Sequence, residues 1–134
     1  TTSIATFELP AIRVAITECA DDVEKMREAF ARRAELTYSL ISKVPGFVCP
    51  KPTGAFYVFP DVSAHFGKRS ASGKAIDSAS DFAAALLDEQ RVAIVPGEDF
   101  GGGGERCFRL TFACGDEQIK DGVARIGAFV ASLR

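Results

Sequence analysis

With 134 residues, 47% of them hydrophobic and 25% charged, the chain can bury the core of one compact domain and is too short for two comfortable ones. Its 16 basic and 18 acidic residues are mixed along the sequence and leave a formal net charge of −2, so no block of like charge marks a nucleic-acid or membrane partner. No apolar run reaches the ~18 residues of a membrane span and no signal-like segment opens the chain, which reads as cytoplasmic by default.

Residues Thr1 to Cys19 begin with hydroxyl side chains suited to capping and then place Ile4, Phe7, Ala11 and Val14 on a helical stripe, interrupted by Pro10, where a helix kinks or starts again. From Asp22 to Val44, the residues Met26, Phe30, Ala34, Thr37, Ile41 and Val44 keep a second stripe, with Asp21 or Asp22 as N-cap, Pro45-Gly46 as the stop and Glu28–Arg32 as an i,i+4 pair. Phe47-Val48-Cys49 reads as a short strand, and Ala55 to Phe59 as a strand apolar on both faces and ended by Pro60. Residues Ser63 to Ala79 are rich in small polar residues and predict a mobile surface loop or lid, with Lys68 and Lys74 solvated. Ser78 or Ser80 caps a helix carrying Phe82, Leu86 and Leu87, which feeds a strand from Arg91 to Val95. After the Pro96-Gly97 turn and a glycine-rich loop comes the strand Cys107 to Ala113. A last helix from Asp116 presents Ile119, Val123, Ile126, Val130 and Leu133, with Asp121 and Arg125 paired on its polar side. The order predicts an α+β sandwich, with helices packed on a small mixed or antiparallel sheet.

Few residues offer chemistry. Cys19, Cys49, Cys107 and Cys114 form no CxxC pair, so reduced and mostly buried thiols are expected. His65, the only histidine, sits in the Ser/Gly/Lys-rich stretch and reads as a surface residue, which leaves no zinc-like ligand spacing and no base for a cysteine nucleophile. In the strand after the glycines, Phe108, Leu110 and Phe112 point to one side and Arg109 and Thr111 to the other. An arginine there is either a solvated surface residue or a planar fork that binds a carboxylate or phosphate through two parallel hydrogen bonds. Gly101 to Gly104 do not read as a phosphate loop, because a strand follows them and Glu98, Asp99 and Glu105 surround them; a flexible hairpin-like loop accounts for them better. The residues alone lead to an α+β domain that binds an amino acid or another acid.

Three motifs in order carry a resemblance over nearly the whole chain: Pro52-Thr53-Gly54-Ala55-Phe56-Tyr57-Val58-Phe59-Pro60, Val92-Ala93-Ile94-Val95-Pro96-Gly97 followed by Phe100-Gly101, and Phe108-Arg109-Leu110-Thr111-Phe112-Ala113. Together they resemble the C-terminal small domain of class I pyridoxal-phosphate aminotransferases, the aspartate aminotransferase family of fold type I. Thr111 stands where serine is common in that family. The resemblance implies that Arg109 binds the substrate α-carboxylate, that Gly97, Phe100 and Gly101 shape the loop on the substrate side, and that the full-length enzyme moves an amino group between an amino acid and a 2-oxo acid. It further implies a homodimer, with pyridoxal 5'-phosphate held by a large domain outside residues 1–134. No cofactor-binding, metal-binding or catalytic residue is then expected in this chain, and none of its lysines stands in the family's Schiff-base motif.

The chain begins at Thr1, and its only methionine, Met26, lies inside a predicted helix, so residues 1–134 read as a single domain from the C-terminal end of a longer enzyme. Separation from a large domain would expose former interface around Ile4, Phe7 and the Arg109 face and limit solubility. Competing readings are a related lyase or synthase with the same carboxylate clamp, a stand-alone amino-acid-binding or interaction domain without catalysis, and an assembly scaffold.

Overall fold

The computed structural model describes residues 3–134, so the capping expected of Thr1 and Thr2 lies outside the described residues. The chain divides into a first compact unit up to Arg32 and a second, Arg33–Arg134. In the first unit a 3-10 turn, Thr6–Glu8, leads into α1 (Leu9–Glu18). Pro10 lies in the first turn of α1, where the backbone donor it lacks would have no partner anyway, so the helix starts again there as its sequence suggests. The residues before the turn and the helix, Ala5 and Glu8, cap with no side-chain bond, so no hydroxyl cap forms at either start. The stripe of Ile4, Phe7, Ala11 and Val14 is not a core face: all four are exposed, Phe7 at 83%.

Cys19 separates α1 from α2 (Ala20–Ile41), in which Asp21 and Asp22 occupy the first turn, where they complement the helix dipole, rather than the N-cap. The charged face pairs Lys25 with Asp22 at 3.2 Å and Arg27 with Glu24 at 2.6 Å instead of Glu28 with Arg32. Burial appears only toward the C-terminal end of α2, at Thr37 and Ile41. The helix ends at Ile41, short of the expected Val44, as tighter bonds from Lys43 N–H to the Leu40 carbonyl and from Val44 N–H to the Ile41 carbonyl lead into Gly46 at φ +79°.

The rest of the second unit runs through β1 (Tyr57–Val58), β2 (Lys68–Arg69), β3 (Ala75–Ile76), α3 (Ala79–Gln90), β4 (Val95–Pro96), β5 (Phe108–Thr111) and α4 (Asp116–Ser132). This is the α+β fold that the element order suggests, with an antiparallel sheet in the order β1-β5-β4. The strands are shorter than their sequences suggest, for local reasons. Residues Phe47 to Cys49 give a single bridge, Val48 to Asp61. β1 is bracketed by Ala55, whose φ of 57° turns the backbone into the left-handed region, and by Pro60. The run is not buried on both faces as expected: Val58 is buried, Tyr57 and Phe59 are half-buried and Phe56 is exposed. Arg91, expected to open a strand, instead caps α3 at φ 56° and donates its backbone N–H to the Leu87 carbonyl. The Ser63 to Ala79 stretch is not a loop throughout, since it contains a 3-10 turn, Ser63–His65, and the β2-β3 hairpin.

At the start of α3, Ser78 Oγ accepts the Asp81 N–H at 3.0 Å. The stripe of α4 is buried at Ile119, Val123, Ile126 and Val130, joined by Phe129, and Arg125 pairs with Asp121 at 2.9 Å. The core is an aromatic cluster. Phe82 stacks on Phe108 at 5.9 Å and meets Phe129 edge-on at 5.1 Å, while Phe47 sets its edge against Phe108 at 5.7 Å and Phe82 at 6.0 Å.

His65 belongs to this cluster and is 3% exposed, which corrects its reading as a surface residue. Its ring lies 5.7 Å from Phe47, its Nε2 hydrogen-bonds to the Pro45 carbonyl at 2.9 Å, and Lys68 Nζ stands 3.4 Å from its Nδ1. The carbonyl requires Nε2 to carry a proton, which leaves Nδ1 as acceptor in the neutral ring. Burial lowers its pKa below the ordinary histidine value, and the Lys68 charge acts in the same direction. The unfolded chain therefore binds the proton first as pH falls. The stability due to neutral His65 is present above pH ~6.5 and is lost below it. Urea midpoints measured from pH 7.5 to pH 5.5 are expected to fall in the wild-type chain and to stay nearly flat in His65→Gln. An equal slope in both would show that His65 is not the titrating group.

Candidate functional site

β5 carries the site because its two faces have different surroundings. Phe108 and Phe112 are fully buried, so the alternation of the strand sends Arg109 and Thr111 to the opposite face. Tyr57 pairs with Thr111 across β1 and β5, which sets the Tyr57 ring diagonally beside Arg109. On the far side Val95 of β4 pairs with Arg109, and the chain leaves β4 through Gly97 into the 3-10 turn Gly97–Phe100. That turn carries Phe100 back to the arginine.

The Arg109 Cζ lies 4.6 Å from the centroid of the Tyr57 ring and 4.6 Å from that of Phe100. Arg27, Arg33, Arg106 and Arg125 each face a carboxylate. Among the described residues, by contrast, no hydrogen bond or ion pair engages the half-buried guanidinium of Arg109. A half-buried cation with no acceptor beside it can bind an anion from outside. The neighbouring Thr111 is not free to assist, since its hydroxyl donates to the Phe56 carbonyl at 3.3 Å and accepts the Ala113 N–H at 3.2 Å.

Of the three residues expected to shape the loop on the substrate side, Phe100 lies against Arg109. Gly97 is buried in the base of the loop, where a Cβ would lie 2.2 Å from the Gly104 carbonyl oxygen and 2.6 Å from that of Cys107. Gly104 is equally tight, with its own Cβ position 2.2 Å from the Gly97 carbonyl oxygen. Gly101 is open on all sides and is held to glycine only by its φ of +100°. The loop amides are occupied from within: Gly103 N–H donates to Glu105 Oε2 at 2.9 Å and Gly104 N–H to the Gly101 carbonyl at 3.2 Å. Those two amides are therefore not available to an anion. Tyr57 went unmarked as a site residue, although the period-two pattern of the Ala55 to Phe59 run already sets it on one face with Phe59.

Elsewhere the chemistry is quiet. The four cysteines are free and half-buried rather than mostly buried, and burial raises the Cys49 and Cys107 thiols above the ordinary value, away from the reactive thiolate. Among the described residues no cluster of histidine, cysteine and acidic side chains could hold a metal ion. No helix among them is long and apolar enough to cross a membrane. A cavity of about 320 Å³ between α4 and the Leu110 side of β5 contains Arg125, but Asp121 and the Gln90 carbonyl already engage that cation.

The family model described as aminotransferase class I and II matches residues 3–126. The chain belongs to this family. An aspartate/prephenate aminotransferase from Cereibacter sphaeroides is 47% identical to this chain over 107 residues, which are 80% of the chain and 26% of the relative. An aspartate aminotransferase from Streptomyces avermitilis is 41% identical over 112 residues, 84% of the chain and 27% of that protein. The crystal structure of an aspartate aminotransferase from Rhizobium meliloti superposes with a TM-score of 0.83 at 35% identity, covering 90% of the chain and 30% of that structure. The chain therefore spans between a quarter and a third of the length of these relatives.

The contacts at the loop base make a direct test. Gly97→Ala or Gly104→Ala drives a Cβ into backbone that has no free rotor to turn, and is expected to cost about 2 kcal/mol or more. Gly102→Ala, with nothing within 4 Å of the added carbon, should stay within about 0.5 kcal/mol of wild type. Denaturant unfolding compares the three. Equal losses at Gly97 and Gly102 would mean that the loop base is not packed as described.

Proposed function

We propose that residues 1–134 are the C-terminal, substrate-carboxylate-binding domain of a longer pyridoxal-phosphate-dependent aminotransferase, one that moves an amino group between an amino acid and a 2-oxo acid. In this reading Arg109 binds the α-carboxylate. The observation that carries it is the half-buried guanidinium at the centre of the sheet, flanked by two aromatic rings and engaged by no acceptor of its own chain. Membership of the family and the aspartate aminotransferases among the relatives support it. We place the enzyme in the cytoplasm as a homodimer, on the resemblance alone.

We place the cofactor's lysine outside residues 1–134, because five of this chain's six lysines are poorly suited to the role. A lysine that forms a Schiff base must reach its neutral amine, yet Lys51 and Lys120 are raised above the ordinary lysine value by hydrogen bonds to Glu35 and Glu117. Lys25 and Lys74 also face carboxylates, and Lys68 stands at His65. The Gly103 and Gly104 amides are engaged as described above. What this chain supplies is the clamp. A carboxylate held at two points has its plane and the direction of its bond to Cα fixed, which leaves rotation about that one bond for the rest of the enzyme to restrain. The competing reading, a stand-alone amino-acid-binding domain, uses the same clamp without chemistry.

Two measurements test this. In the aminotransferase that contains this chain, Arg109→Leu removes two charge-assisted hydrogen bonds and is expected to lower kcat/KM by about 100-fold or more, with Arg109→Lys intermediate because charge remains while the fork is lost. An unchanged kcat/KM in Arg109→Leu would rule the clamp out. Residues 1–134 alone, incubated with pyridoxal phosphate and an amino acid plus 2-oxo acid pair, are expected to show no turnover. Appreciable stoichiometric transamination would refute the assignment of the cofactor to another part of the enzyme.

A further inference from the structure

We propose that Tyr57 and Phe100 are positioning residues, which hold the Arg109 guanidinium between their rings so that its donor edge meets a substrate carboxylate already oriented. This rests on the carboxylate reading of Arg109 given above. Both rings lie 4.6 Å from Cζ, within the range of cation–π attraction. The N–H donors of a guanidinium lie in its plane. Rings packed against Cζ restrict how the group can turn, and no hydrogen bond among the described residues occupies that rim.

The two rings come from different elements, each fixed independently. Tyr57 is set by the β1–β5 register and by Phe56, whose ring lies 4.6 Å away. Phe100 is set at the end of the 3-10 turn, with Phe59 meeting its ring edge-on at 6.0 Å and an interplanar angle of 82°. The turn itself stands on the Gly97–Gly104 contact, and Glu98 beside it accepts a hydrogen bond from Ser80 Oγ. A phenylalanine left 48% exposed in a glycine-rich loop contributes little as core, but it is well placed as one side of a clamp. The consequence is preorganisation: the guanidinium need not be ordered when the carboxylate arrives, which favours binding of substrate and transition state alike.

The test compares Phe100→Leu and Tyr57→Leu with the aromatic replacements Phe100→Tyr and Tyr57→Phe, using Arg109→Lys as reference, in the aminotransferase that contains this chain. Each leucine variant is expected to raise KM for the 2-oxo acid about fivefold and to change kcat less than about twofold, while the aromatic replacements stay near wild type. In the same aminotransferase, ¹⁵N relaxation at the Arg109 Nε–H should show a lower order parameter in the leucine variants than in the aromatic ones, a readout that needs no substrate. If Arg109→Lys raises KM while both leucine variants leave KM and the order parameter unmoved, the clamp is overturned and the carboxylate reading stands. If Arg109→Lys also leaves KM unmoved, both readings fall.

Discussion

The burial of Phe108 and Phe112 is the constraint on which the site depends. Phe108 is locked between Phe82, stacked on it at 5.9 Å, and Phe47, edge-on at 5.7 Å, and neither Phe108 nor Phe112, just past the end of β5, has any exposed surface. Rotating β5 to bury Arg109 instead would expose two phenylalanines, each worth about 2 kcal/mol or more in transfer alone, and would bury a cation without an acceptor. The outward direction of Arg109 is thus a consequence of the core. A strand of only four residues can hold a binding group in place because its other face is anchored on both sides of that group.

The opposite face is built with less material. There the sheet presents a half-buried cation, two aromatic rings and a glycine-rich loop whose base is a contact between the backbones of Gly97 and Gly104. Any side chain at those two positions would push the loop off the sheet and carry Phe100 with it. Here glycine serves close approach rather than flexibility, whereas Gly101 and Gly103 serve the turn itself through positive φ.

Charge is distributed in a way that supports the same assignment. Four of the lysines and several arginines stand beside carboxylates, while Arg109 stands against aromatic rings. Surface pairs of this kind contribute little to stability. They do leave those cations partly neutralised, whereas no ion pair among the described residues engages Arg109. His65 is the exception among the titratable groups: it takes part in the aromatic core, and there its neutral form is structural.

Much of this was legible in the sequence for reasons that are local. Period-two alternation around Arg109 fixed which residues of β5 face inward; a 3.6-residue period together with cap chemistry set α3 and α4 nearly to the residue, since Ser78 and the Asp116 start act within a few residues of themselves. The three motifs led to the aminotransferase family because they combine turn residues and strand faces in a fixed order. What the sequence could not determine depends on distant partners. His65 looks solvated among serines, glycines and lysines, and only the packing of Phe47 and the Pro45 carbonyl against it makes it a core residue. The apolar stripe of α1 looks buried but is exposed, because a period reports which face of a helix is apolar and not whether anything covers it. The stacking of Tyr57 and Phe100 on Arg109 joins residues from β1, β5 and the turn after β4, and a juxtaposition of that kind exists only once the sheet has brought the three together.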